Sequence, residues 1–320
     1  MNHRDDALVC AECGKEGGVS LKTCKACMQV RYCNAECQKN HWPTHKIECK
    51  LRASELRDEA LFKDPPAKAD CPICFLPMPV RLISCISLPP ANISSVPIYD
   101  FAKANMEIAA EETEQYYPCC GKGICAGCMF SFNNADNDKC PFCNSDRADK
   151  TDEAEKIEDI MKRAEANDAA SIFLLADCYY YGLNGVKQDQ TRGMELYARA
   201  ANLGYMKAHN NSAGVYHEKG DLKKAKFHLE AAAMAGHELA RSNLGIIEFQ
   251  SRNMERAVKH WTIAASTGNY IAMHELRAFF ERDGGNYYVG RDTIDSVLKA
   301  YNNSCAEMKS EARDTYMRHF

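Results

Sequence analysis

The sequence predicts a mostly α-helical chain in which two small metal-stapled fingers precede an α-solenoid of helix-pair repeats. Three observations predict it. Sixteen of the 18 cysteines in the 320 residues lie between Cys10 and Cys143. They are spaced as two successive sets of paired ligands. Beyond them, small and apolar residues recur at a fixed step of 32 positions, as in Ala200, Ala232 and Ala264.

The first set reads Cys10-x2-Cys13-x10-Cys24-x2-Cys27-x5-Cys33-x3-Cys37-x7-His45-x3-Cys49. These eight ligands complete two tetrahedral sites and leave no open position for a reacting water, so they stabilise a fold rather than catalyse. A CxxC pair sits on a tight turn. The pairs separated by three residues fit one helical turn, where positions i and i+4 share a face. Residues 50–64 read as a short polar helix ended by Pro65-Pro66, within a linker spanning 50–70.

The second set opens at Cys71-Pro72-Ile73-Cys74. It resumes at Cys119, Cys120, Cys125 and Cys128 and closes with Cys140-Pro141-Phe142-Cys143. The long gap after Cys74 implies an inserted element, with a helix expected over about Asp100–Gln115. Cys119 and Cys120 are adjacent, so Cys85 remains an alternative to Cys119.

Residues 144–166 form a linker and a capping helix in which Ile157, Ile160, Met161 and Ala164 share one face. Residues 167–320 form the repeats and their C-terminal cap. Gly204, Gly236 and Gly268 keep the 32-residue step, as do Ala208, Ala240 and Ala272, and Tyr197, Leu229 and Trp261. Such self-similarity marks stacked units that share one continuous core. Helices are expected at 205–217, 222–235, 237–250 and 254–267, with the glycines as C-caps. Further helices are expected around Asp292–Tyr301 and Cys305–Arg318. Tyr179, Tyr180, Tyr181, His209, Asn210, Tyr216 and His217 either line a concave groove or pack between helices.

Composition bounds the function. Hydrophobic residues make up 46% and charged residues 26%, as in a globular chain. The apolar stretch around Ile172–Ala176 is far too short to span a bilayer. The N-terminus MNHRDDALVC has acidic residues where a signal peptide would have an apolar core, so the expectation is an intracellular chain, cytoplasmic or nuclear, and not a secreted one. Clustered cysteines in a reducing compartment read as metal ligands rather than disulfides. The formal net charge is −4. Fifteen thiolates set against four Zn²⁺ lower it to about −11, which argues against phosphate-backbone binding.

The first set resembles the MYND zinc finger. The words that match are the two CxxC pairs, Tyr32-Cys33-Asn34-Ala35-Glu36-Cys37-Gln38, Trp42 and His45-Lys46-Ile47-Glu48-Cys49, and they cover residues 10–49. The resemblance implies interleaved zinc sites, with Cys10, Cys13, Cys33 and Cys37 on one ion and Cys24, Cys27, His45 and Cys49 on the other. It implies that the finger binds a proline-containing peptide, with Gln38 and Trp42 at the positions that line the family's groove. Trp42 packing over the zinc core is the other reading of that residue. His3 and His41 fit no ligand slot.

Residues 71–143 resemble an all-cysteine RING finger. That resemblance implies Cys71, Cys74, Cys125 and Cys128 on one zinc and Cys119, Cys120, Cys140 and Cys143 on the other, making four zinc ions in the chain. It also implies a docking surface for a ubiquitin-conjugating enzyme at Ile73 and Pro141, with Phe130 or Phe132 as its aromatic. Asn144 stands where the family often has an activating basic residue. The repeats resemble Sel-one-type repeats, relatives of the tetratricopeptide repeat, whose grooves bind peptides or proteins. The first unit carries Tyr179, Gly182, Gly185-Val186, Asp189, Tyr197, Ala200-Ala201 and Gly204.

No phosphate loop, nucleotide fingerprint or nucleophile–base pair is legible. Some MYND proteins carry a methyltransferase SET domain, but here finger and repeat sequence follows Cys49 instead. Two functions are therefore expected. The first is a zinc-binding protein-interaction adaptor. The alternative is a RING-type ubiquitin ligase whose repeats recruit substrate.

Overall fold

A computed structural model describes residues 9–16, 21–78, 114–135, 139–145, 153–282 and 288–319. The chain divides into two compact units, residues 1–63 and 64–320.

The first unit pairs two short strands and a helix. β1 (Lys22–Thr23) runs antiparallel to β2 (Arg31–Tyr32), with Lys22 opposite Tyr32. α1 (Ala35–Leu61) follows, capped by the Asn34 side chain, which accepts from the Cys37 amide at 2.8 Å. α1 runs unbroken through Pro43 and past residue 49, so the helix expected over 50–64 is the second half of the finger's own helix.

The second unit begins with a strap over residues 64–70 and a small finger. β3 (Glu114–Tyr117) pairs antiparallel with β4 (Lys122–Cys125), and α2 (Ala126–Asn133) follows directly. The helix expected over about Asp100–Gln115 falls mostly outside the described residues. Its last two positions, Glu114 and Gln115, lie in β3 instead.

The remainder is an array of helices packed in sequence. It comprises α3 (Glu153–Glu165), α4 (Ala169–Tyr181), α5 (Gln190–Asn202), α6 (Met206–Glu218), α7 (Leu222–Met234), α8 (Glu238–Gln250), α9 (Met254–Ser266) and α10 (Tyr270–Arg282). The four helices expected between 205 and 267 lie within a residue of these bounds. After α5, α7 and α9, the left-handed glycines Gly204, Gly236 and Gly268 close matching turns. In each, the amide two residues past the cap bonds back to an alanine carbonyl, as from Tyr205 to Ala200, His237 to Ala232 and Asn269 to Ala264. The alanine pairs are buried, and Tyr197, Leu229 and Trp261 fill one equivalent place between helices.

Two further helices, α11 (Arg291–Glu307) and α12 (Glu311–His319), follow the array. The expected break near 301–305 is displaced, because Cys305 lies inside α11. α12 leaves the array and packs against α2 of the finger. Among the described residues no helix is long and apolar enough to cross a membrane.

Candidate metal centres

The 15 cysteines and the histidine expected as ligands fall into four groups of four. These are Cys10, Cys13, Cys33 and Cys37; Cys24, Cys27, His45 and Cys49; Cys71, Cys74, Cys125 and Cys128; and Cys119, Cys120, Cys140 and Cys143. Within each group the candidate ligand atoms all lie within 4.8 Å of one another. Cys119 takes its place in the fourth group, while Cys85 lies outside the described residues.

The distances identify what each group can hold. Sγ···Sγ separations are 3.4 Å for Cys33–Cys37, 3.7 Å for Cys24–Cys49, 3.9 Å for Cys74–Cys125 and 3.7 Å for Cys120–Cys140. A disulfide needs about 2.05 Å. A tetrahedron with Zn–S bonds of about 2.3 Å has edges of roughly 3.8 Å. The Cys27 Sγ to His45 Nε2 distance of 3.3 Å suits a mixed sulfur–nitrogen edge. The donor sets therefore fit tetrahedral zinc.

Local backbone chemistry aims these sulfurs. In four CxxC turns the fourth residue after the first cysteine donates its amide back to that cysteine's carbonyl: Gly14 to Cys10, Met28 to Cys24, Phe75 to Cys71 and Asn144 to Cys140. All four of these residues have positive φ, between 55° and 67°. For Met28 and Phe75 this is an uncommon conformation, held by the turn around them.

The electrostatics point the same way. Every group contains one thiol that ionises readily. Cys10 is drawn down to about 6 chiefly by the Cys13 amide. Burial raises Cys24 and Cys71, yet amide donors outweigh it and bring them to about 6 and about 7. The Ser145 hydroxyl lowers Cys143 to about 6. In the same groups burial and neighbouring thiols push Cys49 and Cys119 up to about 12, and burial raises Cys125 and Cys128 as well. Three or four sulfurs this close resist sharing negative charge, and a divalent cation relieves that conflict.

Other expected site residues divide by exposure. Gln38 and Trp42 lie one turn apart on α1, and both are exposed, Trp42 at 40%. The Trp42 ring also stands edge-on to His45, with centroids 6.4 Å apart, so it both touches the centre and faces out. Ile73 is 40% exposed at the tip of its turn and Pro141 is half-buried. Of the residues expected in the repeat groove, Tyr180 and Asn210 are buried between helices. Tyr179 lies under the Arg192 guanidinium, and Tyr216 stacks on His228.

Two supporting residues had no signal in the spacing. His41 stacks parallel on His45 with centroids 5.4 Å apart and meets the buried Tyr32 hydroxyl at 3.0 Å from its Nδ1. Arg313 is 2% exposed and reaches the third group. Its Nε donates to Cys125 Sγ at 3.4 Å and one Nη to Cys74 Sγ at 3.5 Å.

Comparison with known proteins finds matches to the first finger and to the repeats. A family model described as the MYND finger matches residues 10–49, and one described as the Sel1 repeat matches 169–205, 208–237 and 241–269. The chain is similar to the N-lysine methyltransferase SMYD2-A of Danio rerio, at 45% identity over 49 residues, which covers 15% of this chain and 11% of that protein. It is 49% identical over 49 residues to the histone-lysine N-methyltransferase SMYD3 of Homo sapiens, again 15% and 11%. The chain thus spans about a tenth of the length of these relatives, and the matched part is the finger. A Sel1 repeat protein from Oxalobacter formigenes aligns with TM-score 0.41 at 21% identity, covering 50% of this chain and 67% of that one. The Escherichia coli protective antigen c5321, with an SLR fold, aligns with TM-score 0.37 at 20% identity, covering 50% and 38%.

Proposed function

We propose that this chain, which carries a MYND finger and a row of Sel1 repeats, is a zinc-dependent protein-interaction adaptor that brings together two protein partners. Four zinc ions hold it in shape, one in each group of four ligands. The finger takes a proline-containing peptide across Gln38 and Trp42. The repeats take a peptide or protein segment along their groove.

The observation that carries this reading is the two-sided character of α1. His45 and Cys49 are 3% and 1% exposed on the side that meets the metal, while Gln38 and Trp42 face outward. Metal binding thereby fixes the rotation of a helix that presents a flat aromatic ring, and an ordered aromatic anchor binds at low entropic cost. Closed tetrahedral centres supply rigidity and no reactive water. The methyltransferase relatives share the finger alone, so methyl transfer is not carried over to this chain.

Titration of the full chain with a proline-containing peptide tests the proposal. Trp42→Ala should weaken binding at least about tenfold while native mass spectrometry still counts four zinc ions. Equal binding by the variant would sink the peptide role. A second reading is supported by the crossed pairing of eight of the nine cysteines from Cys71 to Cys143, with Ile73 exposed at a turn tip. On that reading the finger docks a ubiquitin-conjugating enzyme and positions it, with no catalytic residue of its own. Self-ubiquitination with a panel of conjugating enzymes, lost in Ile73→Ala with zinc retained, supports it. Silence across the panel leaves the adaptor.

A further inference from the structure

The finger described at residues 71–78, 114–135 and 139–145 and the strap leading into it touch the repeat array along one edge. The edge is the row of corners where the second helix of one pair hands over to the first helix of the next. At the first corner, the Tyr116 hydroxyl of β3 donates to Asp168 at 2.8 Å and meets the Ser171 hydroxyl at 2.9 Å. Asp168 is also the N-cap of α4. At the next, Glu114 pairs with Lys207 at 3.1 Å. Further along, Pro66 fills the space beside Gly236, where an added Cβ would lie 2.9 Å from its Cγ. Lys68 then donates to the carbonyl of Thr267 at 2.7 Å, at the end of α9.

Arg313 closes the circuit from the far end of the chain. Its five N–H donors meet five acceptors. They are the Cys125 and Cys74 sulfurs, the Pro77 carbonyl at 2.9 Å, the Met308 carbonyl at 2.7 Å and the Leu76 carbonyl at 3.4 Å. The approach is close, because a Cβ on Gly127 of α2 would stand 2.7 Å from the Arg313 backbone. A zinc ion with four thiolates carries two net negative charges. A buried guanidinium bonded to two of those sulfurs offsets part of that charge and fixes the turn that presents them.

We infer that the second finger is a zinc-dependent internal brace for the repeat array, with Arg313 as the positioning residue that couples metal retention in the Cys71–Cys74–Cys125–Cys128 centre to the docking of α12. The inference rests on the zinc reading of that centre and goes beyond the adaptor role. It assigns the corner edge of the array to the chain's own finger, so partners are left the other faces.

The test combines chelator challenge with hydrogen exchange on the full zinc-loaded chain. Alkylation mapped by mass spectrometry reports which cysteines open. In Arg313→Gln, Cys71, Cys74, Cys125 and Cys128 should become reactive about tenfold faster than in the parent, while the four ligands of the first group keep the parental rate. Arg313→Lys, which keeps the charge and loses the fork, should fall between. Amides of α12 and of the corners at Asp168 and Thr267 should lose protection together when the zinc leaves. Tyr116→Phe, at the opposite end of the brace, should loosen the Asp168 corner without changing α12. Unchanged alkylation in Arg313→Gln, or corners that keep full protection after the metal is gone, overturns the brace alone. A parent chain that binds no zinc at residues 71–145 overturns the metal reading, and the brace with it.

Discussion

Gly245 on α8 stands where an added methyl would lie 2.3 Å from the Trp261 indole nitrogen, and Trp261 is 1% exposed. Gly245→Ala should therefore destabilise the array by about 1–3 kcal/mol through overpacking, read as a lower thermal midpoint at unchanged zinc content. Nearby, burial above all, with Arg241 and Arg256 adding to it, holds His260 down at about 3. Glu248 is fully buried yet sits at about 2, because Lys226, Asn253 and Arg256 outweigh its desolvation. Both shifts are downward, so both make the unfolded chain take up protons first. The His260 contribution is complete above its ordinary value near 6.5 and fades as pH falls toward 3. That of Glu248 fades between its ordinary 4.5 and about 2. Replacing His260 by Asn should flatten the fall in thermal midpoint between pH 6.5 and 5, a difference readable against the parent chain. Single residues were unevenly legible. The ligand cysteines announce themselves by chemistry and spacing. Arg313 meets its sulfurs across 188 and 239 positions of sequence, and no local pattern encodes such a contact.

Helices of the array were legible because period, alanine pairs and corner glycines agree with one another. The fingers were less so. The left-handed Met28 and Phe75 carry no glycine to mark their turns, and the continuity of α1 past Cys49 was missed because a ligand's position says nothing about where a helix stops. α12 was misplaced because nothing in α11 breaks the helical pattern before Met308. Caps offer a test of how elements are joined. Asp168 serves α4 through the Ser171 amide and receives the Tyr116 hydroxyl, whereas Asp221 serves only α7 through the Lys224 amide and pairs with the Lys224 ammonium at the surface. Asp221→Ala should cost about 1 kcal/mol, the ordinary worth of a cap. Asp168→Ala should cost about 1 kcal/mol more, since it also removes the carboxylate that accepts from the Tyr116 hydroxyl and leaves that group only the Ser171 hydroxyl. Paired denaturant titrations measure the difference.

For the whole molecule, metal is the main structural variable. Native mass spectrometry should count four zinc ions per chain. Complete chelation should unfold the first unit, where β1, β2 and the start of α1 surround two centres and little else among the described residues is buried. A front unit that stays protease-resistant after chelation would remove the basis for the adaptor. The array should survive chelation with its corners loosened, because its buried clusters of apolar residues are its own.

The contact between Arg313 and the finger also sets a timetable for synthesis. Cys74 leaves the ribosome 239 residues ahead of the arginine that steadies it. At about 5–20 residues per second that interval is roughly 10–50 s. On the proposed zinc reading, a finger loaded during that interval holds its metal without the arginine's counter-charge, so scarcity of free zinc should be felt most sharply in newly made molecules.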